Sequence, residues 1–289
     1  MMRLPSLSFD DQKILKEKFA FLALNLSEYS FANLYLFQKI HQYELFCDPA
    51  GKELVIKGVT RDHQPFLMPT SPPNSWSKEL LAFFKSQSAC LYPIPFEWLA
   101  DLEPFTDHFD FLEDDSDYLF SVEKIAHYSG RHLLKQRSIV KHLNEELQIV
   151  KKKFQKELQV HAIQVLDLWQ SQVKMEKDDS DYYSVTEAIY NYEQLNLTGY
   201  LYYVDQIPKG LLIGEELNHR CFAFHFGKAS REITGLNQWM FQSACQDLTK
   251  EYDYLNMEQD LGLANLRQTK HSYHPEKLLH KYRVFLKRF

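Results

Sequence analysis

The stretch YLNMEQDLGLANLRQTKHSYHP, residues 254 to 275, sets acids and cations within a few turns of one another. If its first residues are extended, Glu258 and Asp260 lie two apart and share one side of the chain. In the helix that should follow, Leu263 and Leu266 can face a core. Arg267, Lys270 and His271 then fall at three- and four-residue spacings on another flank, where they could hold an anion. Acids suit an amine and cations suit an anionic carrier, so the stretch has the makings of a group-transfer site. The same residues also have a purely structural reading, which the stretch taken alone favours. In it Asp260 caps the helix, Gly262 makes the turn, and the cations form a solvated face near a helix C-terminus, where positive charge is favoured.

A second cationic group stands at Arg131, Lys135, Arg137 and Lys141, four cations within eleven residues, forming two i,i+4 pairs with no acid between them after a Ser129–Gly130 turn. Such a face can hold the backbone of a tRNA acceptor end or the phosphates of coenzyme A, and KKKFQK downstream extends it. A solvated face answering the acidic loop at 113–117 is the competing reading, of nearly equal weight.

The whole chain is less basic than these patches. Its 289 residues are 45% hydrophobic and 25% charged with a formal charge of −6, which fits a soluble globular protein of one large or two ordinary domains. That charge argues against DNA binding over the whole surface and leaves room only for a local basic groove. Cys47, Cys90, Cys221 and Cys245 show no CxxC pairing, as expected of free thiols in a reducing cytoplasm. The start, MMRLPSLSFDDQK, has no apolar signal core, and no run of about 18 apolar residues occurs, so a cytoplasmic location without a transmembrane segment is expected. Nine glycines, none at GxG spacing, and no GxxxxGK loop exclude the usual dinucleotide and phosphate-loop folds. No metal site is implied: DDSDY occurs twice, at 114–118 and 178–182, but lacks the glycine and distal glutamate of a calcium loop.

The positioning elements read as follows. Ser8 and Asp11 form a capping-box pattern before a helix, and FANLYLFQKI is a second helix. YELFCDPAGKELVIKGVT is two strands around an Asp-Pro-Ala-Gly turn, QPFLMPT is extended and SKELLAFFKS is helical. Prolines crowd residues 65–104, which reads as loops and edges. After EDDSDY the chain resumes with helices at about 121–144 and 155–174, and 147–153 suits either a strand or a continued helix. SVTEAIYNYEQL is a helix with Ser184 and Glu187 as its capping box. TGYLYYVDQ, KGLLIGEEL and RCFAFHFGKA are strands, LNQWMFQSACQDL a helix, DYLNM a strand and KYRVFLKR the last strand. This order is the succession of a GNAT-type (acyl-CoA N-acyltransferase) fold, and the first half gives a shorter version of it. The expected architecture is α+β: tandem GNAT-like domains, 1–112 and 113–289, with mixed, mostly antiparallel sheets flanked by helices and the cleft in the second.

DYLFSVEKIAHYSGRHLLKQRSIVKHL at 117–143 and the opening stretch together resemble the C-terminal domain of the bacterial phosphatidylglycerol lysyltransferase family, specifically its soluble relatives; SEYSFANLYLFQKIHQYELF is similar to that family's first segment. The resemblance implies a tandem GNAT-like fold and favours a strand at 147–153. It also implies aminoacyl transfer from aminoacyl-tRNA, with the lipid acceptor in doubt because the membrane half of the larger members is missing. Acyl transfer needs a base for the acceptor, a donor for the oxyanion and an acid for the leaving group. In a GNAT fold these meet where the fourth and fifth strands splay apart. Glu258 is the first choice for a base or for holding an aminoacyl ammonium, Asp260 the second, and Tyr273 a proton donor for the leaving group. Asn256, Arg267 and Lys270 join Arg131, Lys135, Arg137 and Lys141 as substrate- or anion-binding residues. His225, between Phe224 and Phe226, reads as a satisfied core histidine. The place of the coenzyme A loop, GKASREITG, separates Gly227 from Gly235 too far to cradle a pyrophosphate, although Lys228 and Arg231 could supply charge.

The leading expectation is therefore an acyl- or aminoacyltransferase acting on an amine or hydroxyl of a small molecule, peptide or lipid. It holds no tightly bound cofactor and uses aminoacyl-tRNA or acyl-coenzyme A as co-substrate. The alternative is a non-catalytic GNAT-like module that binds an anionic ligand.

Overall fold

The computed structural model describes residues 3–48, 51, 53–87 and 89–287. The chain divides into two compact units, one of Met1–Asp117, Gln259–Leu263 and Leu278–Phe289, the other of Tyr118–Glu258 and Ala264–Lys277. In chain order the strands are β1 (Arg3–Ser6), β2 (Glu44–Cys47), β3 (Leu54–Val59), β4 (Pro65–Pro69), β5 (Cys90–Ile94), β6 (Thr106–Phe111), β7 (Asp117–Ser121), β8 (Ile149–Lys153), β9 (Thr198–Val204), β10 (Ile207–Asn218), β11 (Cys221–Ala229), β12 (Tyr254–Asn256), β13 (Lys277–Leu279) and β14 (Tyr282–Leu286). They form two seven-stranded sheets, ordered β1-β2-β3-β4-β5-β14-β6 and β13-β7-β12-β11-β10-β9-β8. Helices are α1 (Gln12–Leu22), α2 (Phe31–His41), α3 (Lys78–Ser86), α4 (Leu99–Leu102), α5 (Val122–His127), α6 (Leu134–Glu146), α7 (Gln159–Gln172), α8 (Tyr182–Tyr190), α9 (Leu236–Leu248) and α10 (Ala264–Ser272).

The two units repeat one plan. A three-stranded antiparallel meander, β2-β3-β4 or β9-β10-β11, leads into one helix, α3 or α9, which returns the chain as a parallel neighbour, β5 or β12. The other pairings among the two sheets' described registers are antiparallel. Local signals account for the crossovers. In α3, Ser77 accepts from the Leu80 N–H at 3.0 Å and buries Leu80, Phe83 and Phe84 on one face. In α9 the left-handed Gly235 starts the helix, and Met240, Ala244, Cys245 and Leu248 are buried at helical spacing. The ambiguous stretch is a strand, β8.

Several expectations need correction. The Asp48–Gly51 turn is closed by the Gly51 N–H on the Asp48 carbonyl at 2.9 Å; Pro49 and Ala50 lie outside the described residues. The proline-rich region holds two strands. Pro65 and Pro69 end β4, and Pro93 sits in β5 where its register with β14 shifts, so no ladder N–H is required of it. DYLFS is strand β7, which runs into α5 with Ser121 as its cap, and α8 starts at Tyr182, so Ser184 is buried inside it rather than capping it. KYRVFLKR lies in the first unit's sheet as β14, between β5 and β6, not in a second half running from 113 to 289.

The reason for that placement is charge. Lys281 is fully buried, and its ammonium lies 2.6 Å from both Glu28 Oε1 and Asp117 Oδ1, 3.1 Å from Gln259 Oε1 and 3.3 Å from Ser27 Oγ. Arg283 makes a fork on Asp62 at 2.7 and 2.9 Å and reaches Asp115 at 2.9 Å. Burial pushes the Glu28 carboxyl up to about 7 against the pull of Lys281. Removing one partner from a buried ionic cluster strands the others. Lys281→Met should therefore cost about 3–5 kcal/mol in urea unfolding; a loss below about 1 kcal/mol would mean the cluster contributes little.

Candidate active site

The second unit's central strands create the site by a register fault. Ile213 pairs with Phe226 and Gly214 with Phe224, which leaves His225 as the extra residue of a β-bulge in β11. The bulge brings the backbones so close that a Cβ on Gly214 would stand 2.0 Å from the Ala223 carbonyl oxygen, so only glycine fits. The residue after that glycine, on the partner strand β10, is Glu215.

On the other side of β11, parallel pairing with β12 stops at Ala223 and Asn256. Beyond that pair β11 runs on while the second chain turns. Asn256 Oδ1 accepts the Glu258 N–H at 2.6 Å, and Glu258 adopts a left-handed conformation, φ 57°, uncommon for a non-glycine residue. The carbonyls exposed by the turn need donors. Lys270 supplies them, its ammonium 2.7 Å from the Met257 oxygen and 3.0 Å from the Glu258 oxygen, and the Tyr118 N–H adds a bond to Glu258 at 3.1 Å.

Held in this way, Glu258 places Oε1 2.8 Å from His225 Nδ1, and His225 Nε2 lies 2.9 Å from Glu215 Oε1. Two carboxylates facing both ring nitrogens require both nitrogens to donate, which is the imidazolium form. Burial works against that charge, but Glu258 and Glu215 together outweigh it and raise His225 to about 10. The His225 side chain is wholly buried, Glu215 is 7% exposed and Glu258 is 13% exposed, so Glu258 is the member of the triad that solvent can reach.

The structure unites only part of the expected set. Glu258, Asn256 and Lys270 stand together, with Asn256 and Lys270 spent on backbone groups rather than on a free anion. Asp260 does not share a side with Glu258, because the left-handed turn breaks the alternation. It is fully buried in the first unit, accepting the Gly262 N–H at 2.9 Å. Tyr273 is buried among Phe120, Tyr128 and Phe241, and burial raises its hydroxyl well above the ordinary tyrosine range. Arg131 opens a short 3-10 turn before α6 and is exposed, as is Lys135. The Arg137 guanidinium bonds the Tyr128 carbonyl, and Lys141 faces Glu145 at 3.9 Å. Arg267 is half-buried. Glu215 was not anticipated, and His225 is a satisfied buried histidine whose partners are both carboxylates. Among the described residues no group of three or more His, Cys, Asp or Glu could hold a metal ion, and no helix is long and apolar enough to cross a membrane.

Against known families, residues 19–285 match the model described as phosphatidylglycerol lysyltransferase, C-terminal. The chain belongs to this family. A curated relative, the uncharacterized protein MYCGA3080 of Mycoplasmoides gallisepticum, is 27% identical over 184 residues, 60% of this chain; the match spans 56% of that relative's length. A protein of unknown function from Bacteroides thetaiotaomicron superposes over 99% of this chain and 100% of its own with a TM-score of 0.86 at 21% identity. L-PGS from Bacillus licheniformis superposes over 90% and 93% with a TM-score of 0.60 at 14% identity. The fold is the tandem GNAT-like fold of acyltransferases, α+β with two mostly antiparallel sheets flanked by helices.

A histidine raised from 6.5 to about 10 in the native state binds its proton more tightly there than in the unfolded chain. The stabilisation is complete below about pH 6.5 and is lost as pH rises toward 10, at up to about 1.4 kcal/mol per pH unit. Urea unfolding of the wild type and of His225→Gln at pH 7, 8 and 9 should show the gap between them narrowing with pH. A constant gap would contradict the charged triad.

Proposed function

We propose that the second unit transfers an aminoacyl or acyl group to an amine or hydroxyl acceptor, and that Glu258 binds the ammonium brought to the reaction by donor or acceptor. The observation that supports this most is the triad at the strand splay, in which the more accessible of the two carboxylates is oriented by a buried imidazolium. A carboxylate so oriented is a good cation site. His225 and Glu215 are positioning residues. They fix the rotamer of Glu258 in a setting where reorganisation during the reaction is small.

The chemistry is displacement at an acyl carbon. A deprotonated amine or hydroxyl of the acceptor attacks the donor carbonyl, the new amide or ester bond forms, and the bond to the carrier breaks. The carrier leaves with the proton that the acceptor gives up. The loop between β11 and α9 supports an aminoacyl-tRNA donor over acyl-coenzyme A. Its backbone donors serve the protein itself: the Ser230 N–H on Lys209 O at 2.8 Å, the Arg231 N–H on Gln172 Oε1 at 2.7 Å and the Leu236 N–H on Ile233 O at 3.2 Å. The Lys228 ammonium is held by both Asp181 oxygens at 2.7 and 2.8 Å. Pyrophosphate recognition by backbone N–H groups would need these donors free. Arg131 and Lys135, exposed at the start of α6, are the cations we assign to the polyanionic donor. A lipid acceptor is consistent with the family's description.

The test uses total tRNA charged with radiolabelled amino acids and, separately, radiolabelled acetyl-coenzyme A, each with a bacterial lipid and peptide extract as acceptor. Label should pass from tRNA to a product. Glu258→Gln should lower kcat/KM about 100-fold, while Asp260→Asn, which keeps its hydrogen bond to Gly262, should change it less than about threefold. Transfer from acetyl-coenzyme A alone, or full turnover in Glu258→Gln, would contradict the assignment.

A further inference from the structure

Both sheets end in a strand with an open edge, and the two edges differ in kind. β8 closes the second sheet with Lys151, Lys152 and Lys153 in five residues, and lysine is a usual guard against unwanted strand pairing. β6 closes the first sheet without a lysine, an arginine or a proline. Its residues 107–111 are all exposed, and besides its ladder with β14 the strand is held by ring contacts of His108 with Phe285, Phe109 with Tyr282 and Phe111 with His280 and Tyr282. Phe109 is 45% exposed and Phe111 is 39% exposed, and Leu112 follows them on the surface. An edge strand that shows aromatic rings on the surface, with no lysine or proline and with Asp107 and Asp110 and one register shift as its guards, still leaves ladder groups open to a strand of opposite charge.

Its charge selects the occupant. From Glu97 to Asp117 the sequence has nine acids and no lysine or arginine, and Asp107, Asp110, Glu113 and Asp114 are exposed along the edge. The cation opposite Asp110 in the ladder, Arg283, is committed to Asp62 and Asp115. Beside the strand lies a cleft of about 550 Å³, walled by Phe84, Asp107, His108, Phe285 and Lys287, with the His108 ring stacked on Phe285 at 4.3 Å. A free ladder edge, an adjoining side-chain cleft and an edge whose charges are acidic apart from Lys287 at the cleft are the parts of a β-augmentation site, in which main-chain bonds give affinity and pockets give specificity. Two copies of β6 would bring their acids together, whereas a basic strand would neutralise them.

We propose that β6 is a docking edge for an extended basic segment of a partner protein, which adds to the first sheet as an eighth strand, sets its cations along Asp107 and Asp110 and places a side chain in the cleft. The probe is a fluorescent peptide of alternating lysine and valine, titrated at about 0.15 M salt so that weak surface attraction is screened. Saturable binding is expected, with backbone amide NMR shifts confined to residues 105–112. The doubly substituted Asp107→Lys, Asp110→Lys protein, checked for native circular dichroism, should bind at least about tenfold more weakly. The same peptide N-methylated at alternate residues keeps its charge but cannot join a ladder, and should not bind. Equal binding of the N-methylated peptide, equal binding of a glutamate–valine counterpart, or no saturable binding would overturn the proposal. So would a dimer of the wild type that the charge reversal dissociates, since the occupant would then be a second copy.

Discussion

The second unit is organised around one buried ion triplet, His225 between Glu215 and Glu258. Three ionisable side chains removed from water are costly unless each finds partners, so the nearby backbone irregularities serve to bring both carboxylates within 3 Å of the histidine ring. The bulge turns His225 out of its alternating register, and Gly214 permits it. The left-handed Glu258, fixed by Asn256 and Lys270, turns the end of β12 toward the histidine. Take away the imidazolium and two carboxylates would face each other across a dry gap; take away either carboxylate and the bulge would present an unpaired ring nitrogen.

The first unit follows the same rule with the same signs. Lys281 is a buried cation between two carboxylates, whereas the triplet is a buried cation whose outer carboxylate reaches solvent. The difference is why we assign the proposed site to the second unit. A cluster satisfied on every side, as around Lys281, specifies where β14 must lie and offers nothing outward. A cluster with one member at the surface offers a fixed charge. Buried ionic groups of the first kind secure register and placement, and those of the second kind are where chemistry is found.

Much of this was legible from residue order because the meander strands and the crossover helices carry strong local signals. LNQWMFQSACQDL is α9 to the residue, and the three strands before it are bounded by turn residues. The elements that escaped notice lack such signals. β6 buries neither face and so has no alternation to read, and β7 is a short apolar run that periodicity cannot separate from the helix after it. Glu258 was found because it stood at a predicted strand end, but its pairing with Asp260 assumed an extended chain that the left-handed turn denies. Glu215 was hidden inside an apolar run. The sequence sign of its role was Gly214, a glycine in a strand interior, which marks a bulge or a close approach of two backbones.

Family and fold give the chain a GNAT-like architecture, and the triplet is the feature on which the proposed reaction rests. Its defining property is the charge on His225. Heteronuclear NMR of protein carrying labelled histidine, titrated from pH 6 to pH 10, reads that charge directly from the two ring nitrogens. The account predicts an imidazolium with both nitrogens protonated throughout the neutral range and a midpoint near 10. A neutral His225 at pH 7, with one nitrogen bare, would contradict it.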